Sequence, residues 1–450
     1  MVDMIREGAI SAVELVEAHL RQIERRNPEL NAFVDILGER ALREARERDA
    51  ERARGEPMGL LHGVPVTVKD SFDVAGLATN VGSRLRIGHR AAEDATVVAR
   101  LRAEGAILLG KTNTPEMLAA YETDNFLTGR ANHPLDPERT PGGSSGGEAA
   151  AIAALCSPGG VGSDGGGSIR VPAHFCGIAG LKPTPGRVPG TGHFPVLGCP
   201  SGLVSVAGPM ARTVQDLRLL FSVLAGYDAQ DPLSTPVPPR PATVEQRRIG
   251  VWPQFYKVPV QPEIRDAVAR AAGLLQTARF DVEEITPQGL ERAPNVWAFL
   301  FSQWPGEIKR KLVEGRESEA HWTFLESLVA GPVSGEDALI NLAMRDRMRA
   351  SFIRQTEGLA AVLMPVSSIQ AFRHRERRWT VDGKEIGIFQ AMMPAVFANV
   401  LGLPAVAVPM GIAQNGLPVG VQLVGRPYDD ELLLEIAIRL EEARGGLFPT

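Results

Sequence analysis

Apolar positions near the start of the chain recur at helical spacing. Val13, Leu15, Val16, Leu20 and Ile23 follow a Ser11/Glu14 capping-box pair. The spacing predicts a helix there, and a second, charged helix from Gly38 to Arg54. The period then changes. Val64, Val66 and Val68 alternate with Pro65 and Thr67, which predicts a strand ending at Lys69, with Pro65 favouring an edge or strand-start position. Residues 94–104 read as helix, Ala106 to Leu109 as buried strand, and 121–140 as an aperiodic loop. A helix is expected from Glu148 to Cys156. The Gly/Pro-rich stretch 171–209 predicts rigid, irregular backbone, and helix returns at Thr213 to Leu224.

A proline-rich connector follows at 228–243. Beyond it the pattern predicts strand (248–252), helix (262–278) and strand (280–285). Amphipathic helix covers most of 290–354, with the aromatics Trp297, Phe299, Phe301, Trp304 and Trp322. LAAVLMP (359–365) reads as buried strand and Arg373 to Arg378 as a solvated face. A helix at Phe389 to Leu401, strands in LPAVAVPMG and LPVGVQLVG, and a closing helix from Asp429 to Ala443 complete the pattern. Alternating strands and helices predict an α/β fold, with a mixed, twisted central sheet sandwiched between helices. One domain over 1–450 is expected, with 1–230 carrying the chemistry and 290–355 forming an insert that shapes a pocket.

Composition narrows the function classes. The 450 residues are 44% hydrophobic and 22% charged, with a net charge of −5. That balance gives no electrostatic footprint for nucleic acid. No run of about 18 apolar residues could span a bilayer. The opening segment lacks the pattern of a signal peptide, and three cysteines without a C-x-x-C pair fit a reducing compartment. The eight histidines show no metal-ligand spacing. The expectation is a cytoplasmic protein without metal or cofactor. It would act on a small molecule as a monomer or homodimer, with no nucleic-acid or membrane partner.

Candidate chemistry concentrates in Pro141 to Pro172, where two glycine-rich loops carry Ser144 and Ser168. Glycine is costly to order, so such density points to backbone amides that must approach something closely. Three familiar patterns fail on context. Gly105 to Thr112 matches a phosphate-binding loop, but the supposed loop is itself an apolar strand. Gly160 to Gly165 matches a dinucleotide fingerprint, but no Asp or Glu occurs between Asp164 and Asp216. Ser144 and Ser145 fit a nucleophile elbow, but no hydrophobic strand precedes them. Lys69, at a strand end, reads by itself as a surface charge.

Several motifs in order resemble the amidase signature family. They are Gly63-Val64-Pro65 through Lys69-Asp70, GGSSGGEAAA, GSDGGGSIRVPAHFCGIAGLKPTPGRVP and GPMART (208–213). GLPAVAVPMG and GLPVGVQLVG join them near the end. The resemblance covers most of 10–225 and 356–445. It implies a Ser-Ser-Lys triad: Ser168 as nucleophile, Ser144 as bridging serine after a cis peptide, and Lys69 as base. It also implies an oxyanion hole from the amides of Gly165, Gly166, Gly167 and Ser168, braced by Asp164 and Arg170. Members commonly carry a side chain where this chain has Gly165, so extra room at the pocket mouth is expected. Elementary chemistry agrees with these roles. A serine hydroxyl needs a base, a buried lysine can serve as one, and a hydroxyl both donates and accepts.

The implied activity is hydrolysis of a C–N bond in a small amide, with aryl amides, carbamates and esters among the family's substrates. The alternative is the glutamine-hydrolysing amidase subunit of a tRNA-dependent amidotransferase. That subunit carries an EVKRRI-type motif, for which the nearest piece here is GEIKRKLVEG (306–315). Specificity is expected in 121–130, 190–205 and 290–330, with Trp304 and Trp322 as candidates for an aryl group.

Overall fold

The computed structural model describes residues 1–240, 244, 247–328 and 331–446. Part of the proline-rich connector, 241–243, lies outside the described residues. The chain is a mixed α/β protein built on one eleven-stranded sheet, with a separate hairpin. The strands are β1 (Phe33–Ile36), β2 (Pro65–Lys69), β3 (Ile107–Thr112), β4 (Gly159–Asp164), β5 (Ala179–Lys182), β6 (Val206–Ala211), β7 (Arg248–Val251), β8 (Asp281–Glu284), β9 (Ala361–Pro365), β10 (Arg378–Val381), β11 (Lys384–Gly387), β12 (Ala405–Ile412) and β13 (Pro418–Val424). The sheet order is β1-β3-β2-β4-β6-β5-β12-β13-β9-β7-β8, and β10 pairs with β11 alone. Pairing is parallel around β2 and around β7, and antiparallel through the middle. β5 and β12, from the two halves of the chain, are hydrogen-bonded neighbours.

Local chemistry explains most elements. The helix Ala12–Leu30 starts at a Ser11/Glu14 capping box, and Val214–Leu224 starts with the Thr213 side chain accepting from the Asp216 amide. Apolar residues are buried at alternating strand positions, Val66, Val68, Val161, Leu181, Val406 and Leu423 in one cluster and Ile107, Leu109, Ala405, Ala407 and Val424 in others. No described helix is long and apolar enough to cross a membrane.

Pro65 takes the second of its two expected places: it opens β2, which lies inside the sheet between β3 and β4. The structure departs from the sequence reading further on. The stretch expected to be irregular backbone contains the helix Arg170–Cys176 and the strands β5 and β6. Its glycines and prolines hid the pattern: Gly177 ends that helix in the left-handed region (φ 73°).

Candidate active site

Three parallel strands and one loop converge on Lys69. The residue ends β2 and is fully buried, so it is not the surface charge its position suggested. Its Nζ donates to Ser144 Oγ at 2.7 Å and to Ser163 Oγ at 3.0 Å. Burial lowers its pKa to about 7, against the opposing pull of the Asp164 and Glu148 carboxylates. Ser144 follows a cis peptide from Gly143 and precedes the helix Gly146–Ala153. Glycine at 143 is required by crowding, since a Cβ would come within 2.5 Å of the Ala120 carbonyl. Ser145 donates its amide to the Ser168 carbonyl at 3.1 Å, which ties the two serine loops together.

Ser168 is half-buried and lines a cavity of about 600 Å³. Its loop is stiffened from behind by Asp164, whose carboxylate accepts from the amides of Gly167 (2.7 Å), Ile169 (3.2 Å) and Arg170 (3.4 Å). Arg170 pairs with Asp164 through Nε at 3.0 Å and Nη2 at 3.1 Å, and also donates to Ala395 O, Gln422 Oε1 and Asn399 Oδ1. Both members of the pair are completely buried. Burial alone would raise the Asp164 pKa; Arg170 and the hydrogen bonds outweigh it and hold the carboxyl well below the usual range. Gly167, expected among the oxyanion donors, has its amide taken by Asp164. No protein acceptor among the described residues takes the amides of Gly166 and Ser168.

Sequence reasoning missed four contributors. Ser163 supplies the second acceptor for Lys69. Glu148 lies against β2 and β3, accepting from Thr67 Oγ1 at 2.5 Å and Thr112 Oγ1 at 2.8 Å, and burial raises its pKa to about 7. A Cβ at Gly160 would meet Glu148 at 2.2 Å, a requirement that glycine-rich patterning does not reveal. Tyr121 and Trp297 donate to the carbonyls of Gly166 and Gly165. The one signal available was the two aromatics themselves, in segments expected to shape the pocket.

The cavity's other wall comes mostly from the second half of the chain. Trp297, Phe301, Phe372, Phe389 and Ile388 line it with Glu326 and Arg377, and Glu122 joins them from the first half. Trp322 lies outside that lining and carries the Arg377 guanidinium over its ring at 4.6 Å; Trp304 packs on Phe299. Arg377, read as part of a solvated face, pairs with the buried Glu122 at 2.9 Å. The helix Gly306–Val313, which carries the GEIKRKLV sequence, contributes no lining residue. Gly165 does not open the mouth: the Phe301 ring stands where a side chain would go, 2.6 Å from the point a Cβ would occupy. Among the described residues no group of three or more His, Cys, Asp or Glu could hold a metal ion.

The amidase family model matches residues 14–434. The chain belongs to the amidase signature family. It is therefore a hydrolase acting on C–N bonds. It is 34% identical, over 97% of its own length and 95% of the relative, to the A subunit of the glutamyl-tRNA(Gln) amidotransferase of Coxiella burnetii. Among solved structures it is similar to a chain of a vestigial protein complex described as revealing the evolutionary origins of an s-triazine catabolic enzyme (30% identity, TM-score 0.91, 98% of this chain and 97% of that one). It is also similar to a bacterial aryl acylamidase of the amidase signature family (26% identity, TM-score 0.88, 98% and 95% covered).

These relatives overturn the expectation of a monomer or homodimer without a nucleic-acid partner. The amidase relatives that match nearly the whole chain are named as one subunit of an enzyme that is itself named for a tRNA. The net charge of −5 describes this chain's own surface and carries no information about an assembly.

Proposed function

We propose that this chain is the amide-cleaving subunit of a larger enzyme, hydrolysing the side-chain amide of glutamine through an acyl-enzyme on Ser168. The match to the tRNA-dependent amidotransferase over 97% of the chain carries this reading. In the proposed step, Ser168 Oγ attacks the amide carbon while its proton passes through Ser144 to neutral Lys69. The oxyanion that forms is taken by the amides of Gly166 and Ser168. As the C–N bond breaks, the proton returns by the same route to the leaving nitrogen, which departs as ammonia. Water, activated by the same base, then releases glutamate. Asp164 and Arg170 hold the loop throughout. The neutral form of Lys69 needed for this is supported by its burial and its lowered pKa.

A second reading takes an aryl or other apolar amide, or a carbamate or ester, as substrate. The aromatic lining of the cavity favours it, as does the likeness to an aryl acylamidase. The discriminating experiment is kcat/KM on glutamine and on matched aryl amide, carbamate and ester substrates, repeated with candidate partner subunits. Glutamine turnover that rises on adding a partner supports the first reading. Aryl amide turnover without glutaminase activity supports the second.

A further inference from the structure

A trans peptide is planar, so its C=O and N–H point in opposite directions. Whatever holds the carbonyl of one residue therefore aims the amide of the next. In the loop before Ser168, two consecutive carbonyls are held by side chains of the cavity wall. The Trp297 indole N–H donates to Gly165 O at 2.6 Å, and the Tyr121 hydroxyl donates to Gly166 O at 2.8 Å. The first bond sets the direction of the Gly166 amide, which has no protein acceptor among the described residues. The second acts on a peptide whose amide end is already fixed, because Gly167 N–H donates to Asp164. Burial pushes the Tyr121 phenol up, so it remains a donor.

The contact is also steric. The Trp297 and Phe301 rings stack at 4.9 Å with an interplanar angle of 13°. A Cβ on Gly166 would lie 2.7 Å from the Trp297 ring, and one on Gly165 would lie 2.6 Å from Phe301. The glycines thus admit the aromatic pair against the loop. Phe301 sits in a single π-helical turn, Phe299–Gln303, a feature that occurs often at functional sites. Lys309 braces it, donating to Phe301 O at 2.8 Å with its ammonium 4.9 Å over the ring.

We infer that Trp297 and Tyr121 are positioning residues that hold the Gly165–Gly167 loop so that the Gly166 amide, and the Ser168 amide that follows the loop, meet the developing oxyanion. The aromatic segment around 297–301 is then part of the hydrolytic machinery as well as a pocket wall. The inference rests on the reading of Ser168 as nucleophile.

A fluorophosphonate tests it without knowledge of the substrate. Ser168 Oγ would attack phosphorus, fluoride would leave, and the hydroxyl proton would pass to Lys69. The phosphoryl oxygen would occupy the place of the oxyanion. Trp297→Phe, which keeps a ring and removes the donor, is expected to slow labelling of Ser168 about 10- to 100-fold. On whichever amide is turned over, kcat should fall by a similar factor with KM nearly unchanged. Tyr121→Phe removes a single oxygen and should slow labelling in the same sense, so the test survives if Trp297→Phe fails to fold. Wild-type labelling rates in folded Trp297→Phe and Tyr121→Phe would overturn the inference. So would an effect on KM alone. A wild-type protein left unlabelled at Ser168 would overturn the nucleophile reading, and the inference with it.

Discussion

The two walls of the cavity are built on opposite principles. One, the edge formed by Gly166 and Ser168, is backed by a polar, buried layer: Lys69, Ser144, Ser163, Glu148, Asp164 and Arg170 lie behind the lining and are all at most 4% exposed. Each has hydrogen-bond partners, mostly on strands β2 to β4 or the loops that join them. The other wall is aromatic, comes from the second half of the chain, and touches the first through a hydrogen bond from Trp297 and the ring pair it forms with Phe301. A buried polar wall must be fully satisfied or it costs stability, so its residues are fixed as a set. Most of the aromatic wall needs shape only, so those residues can change with the substrate; Trp297, whose indole holds the Gly165 carbonyl, is the exception. On the proposed mechanism, the polar side carries the chemistry and the rest of the aromatic side the choice of amide.

Breaking the polar wall at its reacting atom should have the largest effect. Ser168→Ala is expected to lower kcat/KM by at least about 10,000-fold while leaving the unfolding midpoint unchanged. Lys69→Ala should be nearly as damaging to turnover. Breaking the brace behind the loop acts on the fold as well. Arg170→Met leaves the Asp164 carboxylate buried without its partner, and is expected to destabilise the protein by about 3–5 kcal/mol in denaturant titrations.

The electrostatics of the polar wall can be sharpened by pH. In the proposed mechanism Lys69 acts in its neutral form, so kcat/KM should rise with pH and level off above about 7. The Glu148 carboxylate favours the charged form of Lys69. Glu148→Gln should therefore move the rising limb to lower pH, and an unchanged limb would break the link between the two residues. The smallest effect is expected on the aromatic side. Phe389 stands on the cavity lip, 60% exposed. Phe389→Ala should raise KM for an aryl amide by about tenfold at most and leave the Ser168 labelling rate unchanged.

The same division decides what was legible in the sequence. Lys69, Ser144 and Ser168 sit in short motifs that can be read locally, without knowing what lines the pocket. The structure joins Lys69 to Ser144 directly and places Ser168 on the facing loop. The helix at Ala12 and the strand ending at Lys69 were equally legible, from a capping box and from alternating valines. Burial of Lys69 was not legible, because it depends on β2 lying between β3 and β4. Glu148 and Ser163 escaped for a related reason: each acts on a β2 residue far away in the chain, Glu148 on Thr67 and Ser163 on Lys69. Arg377 was hidden in a run of basic residues that reads as solvated, yet Glu122 draws it into the cavity wall. Trp297 was visible as an aromatic, but nothing local marks an indole aimed at the Gly165 carbonyl.

The most direct test of the central claim is mass spectrometry of the acyl-enzyme, trapped by acid quench during turnover. The substrate is the best amide from the kinetic comparison. The account predicts an acyl adduct on the peptide containing Ser168, absent in Ser168→Ala. An adduct on Ser144 or Ser145, or an adduct that persists in Ser168→Ala, would contradict it.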